Sequence, residues 1–427
     1  MRFTLRILSV GLPICGIAWQ APTLAAVVIP DNQDQLDKAI AGADFIGGSP
    51  QDSFSAYVGD QEQYDSNVYR LANGTDIAAT VGPHAVKQDY INSPSAGLEG
   101  QWSFGRQTID IDLNAQDNLY ADNSVLNNVS TKDTLDWNWG VGSVISGQAG
   151  IEYLQGLASF VNANSYLRNV YEQANYFAAA RYQVGPRWAV YGGILNSGFG
   201  FNQSASRGNN SSSNSADVGA ELITDVENTF DLDYRYTDAR YPNPIVLTGP
   251  SFDPDFREDR IRFLVKRMLT EKTSIDFDVG YLKREYPNDE IGSFSGPIWR
   301  GSFGWQPTEK TQLIVATWRN LQAYLTDQTD YYRSTGVSIS PVWRPTEKIT
   351  VSLAISRETQ DYIGASTNPL NESARNDTVN AQAAGLSYTP TDALVFDVTF
   401  HHEQRASNQP IRSYDDQLAS AHVRYNF

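Results

Sequence analysis

Many short stretches of the chain alternate between apolar and polar residues. Near the C-terminus, Phe396, Val398 and Phe400 alternate with Asp397 and Thr399. Successive side chains of a β-strand point to opposite faces, so this alternation predicts a strand with one apolar and one polar face. The same period of two recurs at residues 109–114, 230–236, 274–281, 349–356 and 419–427. The alternation therefore predicts an all-β chain.

Carboxylates occupy every second position on the polar faces of several predicted strands. Asp110 and Asp112 follow this pattern in one stretch, and Asp276 and Asp278 follow it in another. A row of carboxylates is costly on a face that meets lipid or a dry core, but costs little on a face that lines water. The pattern therefore predicts a transmembrane antiparallel β-barrel with a polar lumen. A large soluble all-β protein is the alternative that it disfavours.

Turn signals divide the predicted strands into hairpins. Turns rich in Pro, Thr and acidic residues, which favour turn conformations, lie at residues 270–273, 307–310, 345–348 and 390–393. Four earlier turns are predicted near residues 104–105, 144–145, 185–186 and 225–226. With a first strand at Ser53–Asp65 and one terminal strand, the eight hairpins give a barrel of about 18 strands.

Longer polar stretches separate the hairpins at their other ends, at residues 203–215, 241–256, 360–378 and 405–415. Outer-membrane barrels have short periplasmic turns and long extracellular loops, so these stretches are predicted to be extracellular. We expect any constriction of the lumen to come from the loops at 203–215 and 360–378, because both are long and polar enough to fold inward.

The N-terminus has the three parts of a secretory signal peptide, with a positive start, an apolar run and small residues for cleavage after Ala25 or Ala26. The predicted organisation is a signal peptide at 1–26, a short periplasmic leader at 27–51 and a barrel at 52–427. Within the leader, Gln35 to Ala41 is compatible with a short helix, a plug or disorder. We expect a simple leader, because about 25 residues are too few for an independent domain.

Charge and composition narrow the function classes. The chain has 49 acidic and 32 basic residues, and loss of Arg2 and Arg6 with the signal leaves 30 minus 49, a net charge of −19. This charge argues against nucleic-acid binding, which depends on Lys and Arg. The single cysteine, Cys15, lies in the signal, so we expect neither disulfides nor thiol ligands. The 50 aromatic residues (9 Trp, 23 Tyr and 18 Phe) fit a barrel with aromatic girdles.

The alternation assigns a set of charged residues and histidines to the lumen as the candidate solute path. A lumen that carries both signs of charge offers many hydrogen-bond donors and acceptors, which suits a polyhydroxylated solute. The open alternative is an unselective pore whose lumen residues are paired in salt bridges. The predicted lumen residues are Asp110, Asp112, Asp231, Asp233, Arg235, Arg260, Arg262, Lys266, Asp276, Asp278, Arg284, Asp397, His401, His422 and Arg424.

Catalytic and metal sites are not expected. His401 and His422 share a predicted face with Asp397 and Glu403, but no glycine-flanked serine motif accompanies them. The acidic residues between 253 and 259 lack the ligand spacing of an EF-hand, so we interpret them as a solvated loop. No cofactor is predicted.

The terminal strand closes with Tyr425 and Phe427. This ending resembles that of outer-membrane β-barrels, in which the terminal strand is the signal read by the barrel-assembly machinery. The resemblance implies that Tyr425 and Phe427 form the assembly signal, with the assembly machinery as a partner. It also implies a location in the outer membrane of a Gram-negative cell, in contact with lipid and lipopolysaccharide.

A second resemblance rests on the segment Tyr57-Val58-Gly59 and on Tyr64 to Leu71 (Tyr-Asp-Ser-Asn-Val-Tyr-Arg-Leu). These residues resemble the opening strand of the EpsL-type outer-membrane proteins, a group within the β-barrel porins. The resemblance implies export of an exopolysaccharide, with the polysaccharide chain and periplasmic export components as partners. A general or sugar-uptake diffusion porin and a structural or adhesive barrel stay open as alternatives.

Overall fold

The computed structural model describes residues 33–43, 52–161, 165–224, 228–243, 254–287, 293–326, 329–364 and 375–427. The described part of the chain has two α-helices, α1 (Gln33–Gly42) and α2 (Ile77–Thr80), and a single antiparallel sheet. The strands are β1 (Ser53–Asp65), β2 (Asp89–Asn92), β3 (Ser95–Phe104), β4 (Gln107–Tyr120), β5 (Asn128–Val141), β6 (Ile145–Leu157), β7 (Val170–Gln183), β8 (Trp188–Phe201), β9 (Ser211–Ile223), β10 (Thr229–Arg240), β11 (Phe256–Thr270), β12 (Thr273–Glu285), β13 (Phe294–Thr308), β14 (Thr311–Thr326), β15 (Thr329–Thr346), β16 (Ile349–Gly364), β17 (Asn376–Thr391), β18 (Leu394–Ser407) and β19 (Tyr414–Asn426). Within these ranges, no helix is long and apolar enough to cross a membrane.

Strands β2 and β3 together act as one interrupted strand of the barrel wall, beside β1. Both pair with β1, and only Ser93 and Pro94 separate them. Ser93 exchanges two backbone hydrogen bonds with Gln61 (N···O 2.8 and 3.2 Å), whereas a proline cannot donate to the ladder. Counted in this way, the wall is a closed barrel of 18 antiparallel strands, which confirms the predicted fold and strand number. Strand β1 also has the predicted bounds.

The barrel closes between β1 and β19. Their antiparallel register runs from Tyr57 opposite Asn426 to Asp65 opposite Leu418, and the backbone N–H of Phe427 donates to Ala56 O (2.8 Å). Closure removes the free strand edges, so every wall strand is hydrogen-bonded on both sides. The even strand number places the start of β1 and the end of β19 at the rim that carries the short turns.

The outer face is an apolar band between two aromatic girdles. Leu232 is 58% exposed on the outer face, while its neighbour Asp233 is 3% exposed on the inner face. Tyr234 and Tyr281 face outward toward the long-loop rim. The outward aromatic residues near the short-turn rim include Trp102, Trp137, Trp188, Trp305, Trp343 and Tyr425. This arrangement is that of a barrel surrounded by lipid.

The repeated turn motif has a structural basis. Lys272 Nζ donates to Pro307 O in the next turn (3.0 Å), and Lys310 Nζ donates in the same way to Pro345 O (2.7 Å). Lys348 Nζ continues the series to the fourth turn (2.6 Å). Each lysine thus joins its own hairpin turn to the following one. The hairpin turns agree with the predicted positions, except that residues 225–227 lie outside the described residues.

The long-loop rim differs from the prediction. The predicted loop at 203–215 is mostly structured, because a 3₁₀ turn covers Ser204–Asn209 and β9 begins at Ser211. Serine and asparagine favour loops in general, but here they extend a wall strand: Asn196 Nδ2 donates to Asn214 Oδ1 across β8 and β9 (2.9 Å). The predicted loop at 405–415 is likewise shorter, with β18 ending at 407 and β19 starting at 414. Residues 244–253 and 365–374 lie outside the described residues.

A charge placed on the outer face should destabilise the barrel, whereas the same change on the inner face should not. Leu353 is 49% exposed on the outer face of β16, and Ser352 beside it faces the lumen. We expect Leu353→Arg to lower the free energy of unfolding by about 2–4 kcal/mol, because a lipid-facing charge loses its water. Ser352→Arg is the control, and urea unfolding in lipid vesicles measures both. Equal losses from the two variants would contradict the assignment of faces.

Phe427 should be needed for assembly and not for the lumen. Its ring is 72% exposed and contacts Tyr425 edge-on (centroids 5.1 Å apart) on the outer face. We expect Phe427→Ser to reduce the amount of barrel in the outer membrane severalfold, because the terminal aromatic residue is the predicted assembly signal. Heat-modifiable migration of membrane fractions measures the folded amount, and Asn426→Ser is the control. Unchanged membrane levels of Phe427→Ser would contradict the prediction.

Candidate functional site: the barrel lumen

Helix α1 lies inside the barrel. Leu36 and Ala39, both fully buried, pack against Phe177, Ala179 and Leu195 on the inner faces of β7 and β8. The prediction placed this segment in a periplasmic leader and assigned the constriction to loops 203–215 and 360–378. The structure instead places the leader helix in the lumen, because its apolar side chains meet an apolar patch of an otherwise polar wall.

The wall is shaped to seat this helix closely. A Cβ added at Gly193 would lie 2.7 Å from Leu36 Cδ1, so glycine permits the close approach. The Ser146 hydroxyl, at the start of β6 near the short turns, donates to Ala43 O. These contacts place the C-terminal end of α1 toward the short-turn rim.

Asp37 connects the polar side of α1 to strands β10, β11 and β13, which lie only a few strands from β8 in the same wall. Arg262 holds its carboxylate with two hydrogen bonds, Nη1 to Oδ2 (2.9 Å) and Nη2 to Oδ1 (2.8 Å). Arg235 Nη2 donates to the same Oδ1 (2.5 Å), and Arg300 Nη2 lies 3.8 Å from Oδ2. This paired geometry is the strong form of a carboxylate–guanidinium contact.

The Asp37 carboxylate stays charged in this setting. Burial alone would raise the pKa of Asp37, but the charges of Arg235 and Arg262 outweigh it and hold the pKa well below its usual range. Because the pKa of Asp37 is lowered, its contact contributes fully to the stability of the folded protein above the usual pKa of an aspartate. This contribution is lost only as the pH falls through the lowered pKa. The contact therefore persists at pH values where a free aspartate is protonated.

Predicted lumen residues of β10 to β12 form an ion-pair network around Asp37. Arg262 also binds Asp233 with Nε (3.0 Å) and Nη2 (2.8 Å), and its Nη1 lies 3.3 Å from Asp278 Oδ2. Nearer the long-loop rim, Arg284 binds Glu258 with Nε (2.9 Å) and Nη2 (2.6 Å). Glu258 is therefore a buried wall residue and not part of a solvated loop. Arg260 lines the same region, whereas Asp231, Lys266 and Asp276 lie toward the short-turn rim.

The remaining predicted lumen residues lie on the other side of the barrel. Asp110 accepts from Gln101 and from Asn138. Arg424 donates to Glu99 (2.6 Å) and lies over the Tyr57 ring at 3.6 Å. Asp112 lies near this pair, opposite Glu99 in the register of β3 and β4. The predicted set is thus divided between two walls, and its part in solute passage stays a prediction.

The histidines of the last two strands do not form one group. His422 Nδ1 lies 3.4 Å from Asp397 Oδ2, while His401 is buried further along β18, opposite Leu418. Tyr414 donates to Glu403 near the long-loop rim. Among the residues that the structure describes, no three His, Cys, Asp or Glu side chains come together as a metal site.

The longer stretch behind the EpsL-type resemblance, Tyr64 to Leu71, builds the long-loop rim. Arg70 has a φ of 54°, a left-handed conformation that is uncommon for a residue with a side chain. Its guanidinium contacts Asp65 (3.0 Å) and Asp416 (3.2 Å), and all three side chains are buried. Asn67 Nδ2 donates to Asp415 O (3.0 Å), which ties the segment to β19. These residues therefore have a structural role at the mouth of the barrel, which is its opening at the long-loop rim.

A second loop crosses the mouth. Arg405 on β18 donates from Nη1 to Val161 O (2.8 Å), in the connection between β6 and β7. Val161 also packs against Tyr414 of β19. Because β6 and β18 lie on different sides of the barrel, this contact spans part of the opening.

The described part of the lumen contains separate spaces. One cavity of about 170 Å³ adjoins Asp37, Arg262 and Arg300. A second cavity, of about 290 Å³, is lined mainly by amides, hydroxyls and tyrosines on the other side, including Gln63, Ser93, Gln116, Asn118, Asn128, Ser130 and Tyr171. A larger depression of about 700 Å³, lined by Trp137, Ile151 and Ile194, includes outward-facing residues of the lipid-facing wall.

Sequence reasoning missed Asp37 and Arg300. Asp37 was assigned to a leader outside the barrel, and nothing in its neighbourhood indicates a partner 198 residues away at Arg235. Arg300 lies on β13, whose Gly-Pro-Ile-Trp-Arg-Gly sequence shows no clear alternation. The apolar spacing of Leu36, Ala39 and Ile40 was the available signal, since it marks one face of a helix.

Comparison with known proteins agrees with the barrel. Residues 265–427 match the family model described as "Putative beta-barrel porin 2", which covers less than half of the chain. No curated protein matches the sequence. Among solved structures, OccAB3 of Acinetobacter baumannii is 10% identical with a TM-score of 0.47, over 88% of this chain and 99% of that one. OpdK of Pseudomonas aeruginosa is 8% identical with a TM-score of 0.48, over 88% and 99%. Similarity at this level carries no argument about what this chain transports.

The chain is an outer-membrane protein of a Gram-negative bacterium. Its closed wall satisfies the backbone hydrogen bonds of every spanning strand, as a membrane requires. Its apolar band and girdles match the lipid-facing surface of such barrels, and its C-terminal part matches a porin family model.

The position of α1 can be tested with single cysteines, after Cys15→Ser. Ala39 is fully buried against the wall, while Lys38 beside it is exposed. We expect Ala39→Cys to react with a small methanethiosulfonate reagent at least about tenfold more slowly than Lys38→Cys, because reaction requires the helix to leave the wall. Mass spectrometry of the folded protein measures the rates. Equal rates would contradict the seating of α1.

Proposed function

We propose that the chain is a diffusion channel for small polar solutes, narrowed by its own lumen helix. The observation that carries this proposal is the position of α1, which packs on β6 to β8 and reaches the arginines of β10 and β11 through Asp37. The space beside it measures about 170 Å³, and a separate space of about 290 Å³ lies elsewhere in the lumen. Both volumes are below the roughly 300–1,000 Å³ of pockets for drug-sized ligands, so they favour small solutes over a polymer chain.

The wall chemistry supports passage of polar solutes. An 18-stranded barrel is wide enough for an aqueous channel, whereas an eight-stranded one is filled by side chains. The lumen presents carboxylates, guanidinium groups, amides and hydroxyls, which replace the hydrogen bonds that a solute loses when it leaves water. The sugar-uptake alternative from the sequence therefore fits the lumen better than passage of a polymer.

Export of an exopolysaccharide is the finer hypothesis that the EpsL-type resemblance raised, and it stays a prediction. Residues Asp65, Asn67 and Arg70 of the resembling stretch have a structural role at the long-loop rim, so they do not by themselves indicate polysaccharide handling. Deletion of the gene followed by an assay of secreted polysaccharide tests this hypothesis directly. Unchanged secretion would exclude it.

The channel proposal predicts that loosening α1 enlarges the pore. In planar bilayers we expect the intact protein to show a small conductance and Asp37→Ala to increase the mean conductance severalfold, because the variant loses the contact that joins α1 to the arginine wall. Gly193→Leu should act in the same direction without changing charge, since its side chain would occupy the seat of Leu36. Ser352→Arg controls for a charge change elsewhere on the wall.

Solute size provides the second measurement. Vesicles that contain the intact protein should swell in monosaccharides and not in long glucans, and the Asp37→Ala variant should admit larger oligosaccharides. If neither protein conducts ions or admits sugars, the channel proposal is wrong and the structural or adhesive barrel takes its place.

A further inference from the structure

The Asp37 carboxylate occupies an arginine-lined site on strands β10 to β13. Arg262 presents two edges of its guanidinium group. The Nε edge holds Asp233 of the neighbouring strand, and the outer fork formed by Nη1 and Nη2 holds Asp37. Asp233 is part of the barrel wall, whereas Asp37 belongs to a separate helix. The outer fork is therefore the part of this site whose anion can leave without unfolding the barrel.

The fork selects a carboxylate over a neutral group. Its two N–H donors point at two different oxygens of Asp37, at 2.9 and 2.8 Å. A carboxylate provides two acceptor oxygens in this spacing, while an amide provides one acceptor and a donor that would face a guanidinium N–H. Arg262 is 2% exposed, so the contact is made away from bulk water, where the loss of charge matters most.

Space for the rest of a ligand adjoins the fork. The cavity of about 170 Å³ is lined by Asp37 and Arg262 together with Ile298, Arg300 and Trp318. Ile298 and Trp318 provide apolar surface, and Arg300 adds a second cation that faces the lumen. A small organic acid could thus place its carboxylate on the fork and its carbon skeleton in the cavity.

We infer that the arginine site of β10 to β13 is a binding site for small organic carboxylates. The Asp37 carboxylate occupies this site as an internal ligand. A carboxylate from solution competes with Asp37 for the outer fork of Arg262. Because a ligand that binds only the released form shifts the equilibrium toward it, carboxylates free helix α1 from the arginine wall. This inference rests on the proposed channel function only for its consequence, which is a wider path when the acid is present.

Binding to the site can be measured without any transport. Acetate is the free counterpart of the Asp37 side chain, and acetamide is its neutral match in size. In detergent-solubilised full chain carrying Asp37→Ala, we expect saturation-transfer NMR to show binding of acetate and at least about fivefold less signal from acetamide, given the paired acceptors that the fork requires. The double variant Asp37→Ala/Arg262→Gln should lose the acetate signal. Should Asp37→Ala fail to fold, Asp37→Asn removes the charge at nearly unchanged size.

Competition is measured in the chain with its native Asp37. We expect acetate to raise the labelling rate of Ala39→Cys severalfold at constant ionic strength, with no change for Lys38→Cys and none in acetamide. Equal binding of acetate and acetamide to Asp37→Ala would overturn the carboxylate site. Acetate binding to that variant with an unchanged Ala39→Cys rate would overturn the competition with Asp37. Neither measurement needs ion flow, so a failure of the channel proposal would be seen separately, in the bilayer.

Discussion

The contact between Asp37 and Arg262 determines what fills the barrel. Eighteen strands enclose a lumen that wall side chains alone cannot fill, so the occupant of the lumen decides which molecules can pass. Leu36 and Ala39 fix one side of α1 on β7 and β8, and Asp37 fixes the other side on β10 and β11. The helix thereby bridges two parts of the wall. The cavity beside Arg262 and Arg300 follows from this bridge, since Asp37 forms part of its lining.

The wall of the barrel could be predicted from the sequence because its information is local. The alternation from Phe396 to Phe400 predicts a strand and indicates which side chains share a face. The repeated Thr-Glu-Lys turns indicate where one strand ends and the next begins. The lysines that join neighbouring turns even explain why the motif repeats. Inward residues such as Asp233 and Arg235 could be assigned for the same reason, since the face of one residue fixes the faces of its neighbours.

The contents of the lumen could not be predicted, because they depend on contacts between distant segments. Asp37 meets Arg262 across 225 residues of sequence, and nothing near Asp37 states that its partner is an arginine of the wall. The prediction of a loop at 203–215 was wrong for a different reason. Serine and asparagine favour turns, but at the water-exposed rim of a barrel they also occur in strands. Around Arg70, the sequence showed a motif and the structure shows its physical role, which is a buried bridge between Asp65 and Asp416.

The forces that hold α1 are balanced rather than strong. A helix of ten residues is marginal by itself in water, so α1 depends on the wall for its stability. Its apolar contact is small: Leu36 and Ala39 are buried against the wall, and Ile40, together with Ala43 just beyond the helix, adds to the same cluster. The buried ion pair adds orientation more than free energy, since the cost of removing Asp37 and Arg262 from water offsets much of their attraction. A charge contact of this kind specifies one position of the helix and can still be exchanged for another carboxylate. That combination fits an element that narrows a channel, whereas a permanent plug would require a larger apolar contact.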